Sequence, residues 1–355
     1  MTRRLVVSAG IVLLLAVTGA ATGAARAGGS LPGPAAPVFV PLPATLTVPR
    51  ADHAQTTLAD GSVLVTGGFT LPGLPVAPGL DTAELFDAAT RSHVLLPDRM
   101  RSPRTNHTAT RLADGRVLLA GGQLDNNGDG VASAELYDPV SRSFTLLPAT
   151  MTSPRGGHAA ALLDDGTVLI AGGFDNSATA LRTAEIFDPV TGGFTAVAAL
   201  MNAPRSELTA TRLPDGRVLL AGGQSDHIPV DTAEIYDPAT GSFTALAATM
   251  TSIRFGHSAA PTAGGLVLLT GGSALGLPAN GHLARAQGLL LATAEVFDPA
   301  TGTFSAVASP MTSPRFGHAA SALAGGRVVL SGGIAGLDPG TGNVRILGTA
   351  EMFVP

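Results

Sequence analysis

Two carboxylates and a carboxamide, Asp52, Glu207 and Asn106, stand where three other copies of the same local sequence have Gly157, Gly256 and Gly317. Each follows by two residues a recurring arginine: Arg50, Arg104, Arg155, Arg205, Arg254 or Arg315. Carboxylates opposed across a channel could do general acid–base work, hold a cation or bind sugar hydroxyls. The alternative is a solvated rim, because no third group is recognisable that would orient them for chemistry. A second constellation is "DNNGDG" at 125–130, which puts Asp125, Asn127 and Asp129 at alternate positions with a glycine after them. Oxygens at that spacing can converge on calcium. The twelfth position is Leu136, with Glu135 one place early, so a complete EF-hand loop is excluded. A polar loop with Asn-Gly and Asp-Gly turns is the competing reading.

These residues need a frame, and the frame is visible as a repeat. The arginines recur at intervals of 54, 51, 50, 49 and 61 residues, and five of the six are followed three residues later by His53, His107, His158, His257 or His318; the exception is Leu208. Every copy reaches a glycine pair, such as Gly172-Gly173, and then a segment of the form Thr183-Ala184-Glu185-Ile186-Phe187. Four short apolar runs per copy, separated by turn residues, are the signature of propeller blades. The second run shows no polar alternation because neighbouring blades cover both of its faces. Six copies predict an all-β, six-bladed β-propeller spanning residues 38–355.

The last copy ends after its third strand. At the other terminus, "FVPLPATLTVPR" (39–50) aligns without a gap on "FTALAATMTSIR" (243–254), with Phe39 in the place of Phe243. Residues 38–43 are therefore expected to close blade 6 as its outermost strand, which removes an open edge. Pro41 and Pro43 are tolerated there because an outer strand can lack donors.

Arg and His before the first strand, the glycine pair after the second, an aromatic and Asp-Pro after the third: this combination resembles the kelch repeat from about Phe39 to the end. The resemblance is to the propellers of bacterial exported kelch-repeat proteins and of the central domain of galactose oxidase. The tryptophan usual in the fourth kelch strand is Phe144, Phe194, Phe243 or Phe304 here, and His93 in the first copy. Among what the resemblance implies, copper–radical oxidation needs a Cys–Tyr crosslink, which a chain without cysteine cannot form. An enzyme similar to sialic-acid mutarotase needs only acid–base groups in the channel and stays as the alternative, resting on Asp52, Asn106 and Glu207. The leading expectation is a non-enzymatic protein- or glycan-binding, adhesion-type module.

Features present in every copy are read as scaffold: Arg50, Arg104, Arg155, Arg205, Arg254 and Arg315 pairing with Glu84, Glu135, Glu185, Glu234, Glu295 and Glu351. Binding is assigned to what varies, the loops between second and third strands at 69–81, 123–132, 174–182, 224–231, 273–292 and 334–348. Candidate contacts are His227 in the fourth loop, His282 and Arg285 in the long fifth loop, and Phe255 and Phe316. With Phe69 and Phe174, the last two are the aromatics left over once the repeat positions are filled.

The N-terminal Arg3-Arg4, the apolar run after it and Ala25-Arg26-Ala27 read as a signal peptide over 1–27, with a short linker at 28–37. The expected product is a monomer, secreted, periplasmic or on the cell surface, with no membrane attachment after cleavage. All 21 basic residues are arginine; three leave with the leader, so 18 basic face 26 acidic side chains. That surplus of acid excludes a nucleic-acid groove. No cofactor is expected apart from the calcium of the 125–130 loop.

Overall fold

The second strand of every blade is four consecutive buried residues, for example Val117–Ala120 or Val168–Ala171, and this run on both faces is what the architecture is built around. The computed structural model describes residues 36–70, 77–126, 130–275, 290–338, 340 and 343–355. The leader at 1–27 and most of the 28–37 linker lie outside the described residues. Ala36–Pro355 contains six four-stranded antiparallel sheets. Blades 1 to 5 take their strands in chain order; blade 3, for instance, is Ala159–Leu162, Val168–Ala171, Ala184–Asp188 and Gly193–Ala196.

Blade 6 has its first three strands at Ala319–Ala322, Val328–Ser331 and Thr349–Val354, and its fourth is Val38–Thr45. Phe39 is in register with Phe353, as Phe243 is with Tyr236 in blade 4, and the rings meet at 5.2 and 4.8 Å. Such cross-strand aromatic pairs recur in the other blades, with Phe86 against His93 in blade 1. The N-terminal strand thus closes the circle with the same side-chain contact that the other blades use internally.

Six apolar cores lie between successive blades rather than within them. The core between blades 6 and 1 joins Leu42, Val329 and Met352 to Val63, Val65 and Phe86. Each fully buried Val, Leu or Phe contributes about 1.5–3 kcal/mol, so every blade is held chiefly by its neighbours. Hairpins between first and second strands, and between third and fourth, lie on one face. The glycine pairs, the variable loops and the starts of the first strands lie on the other.

Candidate functional site

Six buried ion pairs fasten the segment that enters each blade. Arg50 reaches Glu84 Oε1 at 2.6 Å and donates from Nη1 to the carbonyl of Gly67 at 2.8 Å, while Glu84 Oε2 accepts the Thr47 N–H at 2.7 Å. The residue before the Ala-Glu pair joins in, because Thr82 Oγ1 accepts from Arg50 Nη2. Arg104–Glu135, Arg155–Glu185, Arg205–Glu234, Arg254–Glu295 and Arg315–Glu351 repeat the pair at 2.7 to 3.1 Å. A buried charge pair is sustained when its remaining donors and acceptors are engaged, which the loop amides and glycine carbonyls provide for most of them; Arg155 Nε is an exception, buried without a partner.

Two residues beyond each arginine the chain turns toward the axis and the six copies meet. The N–H of Asp52 donates to the carbonyl of Gly317 at 2.7 Å, Asn106 to Asp52 at 2.9 Å, and Gly157 to Asn106 at 2.9 Å. Glu207 donates to Gly157 at 2.6 Å, Gly256 to Glu207 at 3.1 Å, and Gly317 to Gly256 at 2.9 Å, closing a head-to-tail ring of peptide hydrogen bonds. All six residues have left-handed backbone, with φ between 52 and 59°. Glycine takes this conformation freely and Asn and Asp tolerate it, whereas Glu207 is held there at a cost of about 1 kcal/mol or more.

The ring frames a cavity of about 110 Å³ lined by Asp52, Asn106, Glu207 and the histidines one residue further on. Both acidic side chains are half-buried, and each leans back over a glycine of the preceding blade, Asp52 over Gly317 and Glu207 over Gly157. They stay on opposite sides of the axis and make no hydrogen bond with one another. Burial pushes the Asp52 carboxyl up to about 7 despite a hydrogen bond from the Asn106 side chain. Burial, then the negative charge of Asp52, pushes Glu207 up to about 8. Glu207 Oε2 is inaccessible and has no hydrogen-bond partner, and Asn106 Nδ2 donates to Gln123 Oε1 at 3.0 Å. The chemistry available is a neutral carboxylic acid at pH 7 in a space below the roughly 300 Å³ of small-molecule sites.

The role of the histidines is not legible from the repeat alone, although the signal is in the chain. Their Nε2 atoms meet a hydroxyl of the preceding blade: His53 with Ser331 (3.1 Å), His107 with Thr66 (2.9 Å), His158 with Thr108 (3.0 Å), His257 with Thr209 (3.1 Å) and His318 with Thr270 (2.9 Å). Each hydroxyl belongs to one member of the cross-strand pair that begins the first strand and ends the second: Thr108 opposite Ala120, Ala54 opposite Thr66. In blade 3 that pair is Ala159 opposite Ala171, with no hydroxyl, and there the facing residue is Leu208. Burial and the neighbouring arginines hold the imidazoles neutral, with His158 and His257 down to about 3.

Phe255 and Phe316, expected on a recognition surface, are 0% and 4% exposed and pack edge-on at 5.2 Å in a core with Phe69, Ala51 and Ile334. The cause is reciprocal volume. The residue after the recurring arginine bridges the residue after the glycine pair, and in Ala51 with Phe69, Gly156 with Phe174 and Phe255 with Ser273 one member is large where the other is small; in blade 6 Phe316 bridges Ile334, both large. Phe316 also lies on Gly256, where a Cβ would collide with its ring. His227 is exposed at a two-residue turn between Gln224–Ser225 and Ile228–Pro229. His282 and Arg285 lie outside the described residues, as do Asn127 and Asp129. Of the 125–130 loop, Asp125 bridges Pro78 and Asn126 exchanges hydrogen bonds with Ala77, which joins this loop to that of blade 1.

Comparison with known proteins agrees with this frame. Residues 106–333 match the family model described as the KLHDC2/KLHL20/DRC7 Kelch-repeats domain. A segment of 124 residues is 32% identical to an F-box/kelch-repeat protein of Arabidopsis thaliana, covering 33% of this chain and 32% of that protein. The chain thus spans about a third of the relative's length. With the family model covering more than half of its residues and six blades closed by their own termini, the chain belongs to the kelch-repeat family of β-propellers.

Proposed function

We propose that this propeller is an exported, non-enzymatic interaction module that binds a protein partner through its variable-loop face. The observation that carries the reading is the placement of exposed aliphatic side chains in loops the scaffold leaves free. Leu124, Ile228 and Leu275 are 48%, 67% and 48% exposed in the loops of blades 2, 4 and 5. Rigid strands carrying variable, partly apolar loops are a usual basis for protein recognition. Burial of Phe69, Phe255 and Phe316 leaves only the half-buried Phe174 of those four rings for a sugar to stack on, and so favours a protein over a glycan. Export rests on the charged and apolar leader that ends at Ala25-Arg26-Ala27. The alternative of a carbohydrate-active channel similar to sialic-acid mutarotase is disfavoured by the 110 Å³ at the peptide ring, too little for a sugar.

The test is a binding screen of the mature chain against surface proteins and glycans, repeated with Leu124, Ile228 and Leu275 changed together to Arg. A protein ligand lost in that triple variant, and retained when Val140 and Val190 on the other face are changed to Arg, is the expected result. A glycan ligand, or sugar epimerisation lost in Glu207→Gln, would replace the proposal with the alternative.

A further inference from the structure

The other end of the channel is built differently from the ring. Between the first strands of the six blades the channel widens to a cavity of about 820 Å³, open on the face of the short hairpins. That volume lies within the roughly 300–1,000 Å³ of small-molecule sites. The wall is mixed: Ala160, Leu162, Ala210, Pro214 and Pro261 form its apolar part, and Gln55, Thr56 and Thr57 of blade 1 are polar.

Two arginines interrupt it. Arg111 and Arg212 end the first strands Thr108–Arg111 and Thr209–Arg212 of blades 2 and 4, both with the sequence TATR. The other first strands end in Thr57, Leu162, Pro261 and Ala322, so the repeat itself requires no cation at this place. Arg212 is paired with Asp164 of the blade 3 hairpin. The Arg111 side chain, exposed at the cavity wall, has no hydrogen bond or ion pair among the described residues. Thr110, Thr211 and Ser321 present hydroxyls on the same wall, also without protein partners there. Arg111, Arg212 and Asp164 leave one positive charge in surplus. The first strand of blade 3, Ala159–Leu162, runs between the two arginine-bearing strands and is wholly apolar.

We infer that the open end of the channel binds a small monocarboxylate with an apolar body, its carboxylate on Arg111 and its body against the first strand of blade 3. A single surplus charge matches a monoanion, while the Asp164 carboxylate repels a second negative charge. A guanidinium without a partner supplies the fork that a carboxylate accepts. The site is independent of the variable-loop face and of what binds there.

The experiment is calorimetric titration of octanoate into the full mature chain. One saturable site with a dissociation constant of about 0.1–1 mM is expected, modest because both guanidinium groups already reach water. Arg111→Gln should weaken it about tenfold at an unchanged melting temperature, with Arg111→Lys between the two. Octanol, which keeps the body and loses the charge, should bind about tenfold more weakly, and octyl phosphate no more tightly than octanoate. No saturation by about 10 mM octanoate, or equal affinity in Arg111→Gln, overturns the inference. Because the Arg111 guanidinium makes no hydrogen bond or ion pair among the described residues, its replacement removes no side-chain bond there, and the backbone pairing with Val117 is kept.

Discussion

Changing His257 to Leu and Thr209 to Ala should recreate, between blades 4 and 5, the contact the chain already uses between blades 3 and 4, where Leu208 packs on Ala159 and Ala171. The pair to be replaced is His257 Nε2 against Thr209 Oγ1 at 3.1 Å. Thr209→Ala alone leaves a nitrogen of a 6% exposed imidazole without a partner, at a cost of about 1–3 kcal/mol. His257→Leu alone orphans a half-buried hydroxyl, at about 1 kcal/mol. The double variant leaves neither group, so it should fall within about 1 kcal/mol of the parent, giving a coupling energy of about 1–2 kcal/mol. Acid adds a second reading. His257 is held near 3 in the folded chain against 6.5 when unfolded, so its stabilisation is complete above 6.5 and is lost as pH falls. The loss is about 1.4 kcal/mol per pH unit, which gives the double variant about 2 kcal/mol relative to the parent on going from pH 7.5 to 5. Urea denaturation of the four proteins at both pH values measures both quantities. Additive single effects, or parallel acid losses in parent and double variant, would refute the cross-blade role of the histidine.

Three further outcomes follow from the ring and the closure. Glu207→Gly should raise stability by about 1 kcal/mol at pH 7 in urea denaturation, because glycine relieves both the φ of 53° and the unpartnered Oε2; a loss of stability would contradict the strain. Glu207 is raised to about 8 from an ordinary 4.5, so protonation favours the folded state fully below 4.5 and loses that advantage as pH rises through 8. From pH 6.5, clear of the histidines, up to about pH 8, the parent should therefore lose stability relative to Glu207→Gln by up to about 1.4 kcal/mol per pH unit, the one-proton slope, and the difference should level off above that; a flat difference curve refutes it. Deleting Val38–Thr45 should remove buried Phe39 and Leu42, expose Thr349–Val354 as an edge, and lower the melting temperature by about 10 °C or more; unchanged melting would dismiss the closing strand.

The histidine pattern is written in the chain: a hydroxyl at one or both of two positions in five copies, none in the third, and a leucine facing the third. It is hard to read there because the two positions, Ala54 and Thr66 in blade 1, sit at the far ends of a hairpin and become partners only in the sheet. The imidazole that reads them then comes from the next blade. Phe255 and Phe316 mislead for the opposite reason. They break the repeat and so resemble recognition residues, but their size is compensated at neighbouring positions by Ser273 and by Gly256.

What the sequence determined by itself was the periodic part of the protein. Six copies of arginine, glycine pair and Ala-Glu require six blades, because each copy has apolar faces that only another copy can cover. The gapless match of 39–50 to 243–254 also determined how the circle closes. The tertiary structure alone decided the axis, where residues about 50 positions apart join in a ring of peptide hydrogen bonds shared by three glycines with Asp52, Asn106 and Glu207. It also decided that a carboxyl there stays protonated near neutrality, and that Arg111 faces an open cavity without a partner among the described residues. Proton affinity and unpaired charge depend on what surrounds a group in space, and at the centre of a propeller those surroundings come from every blade at once.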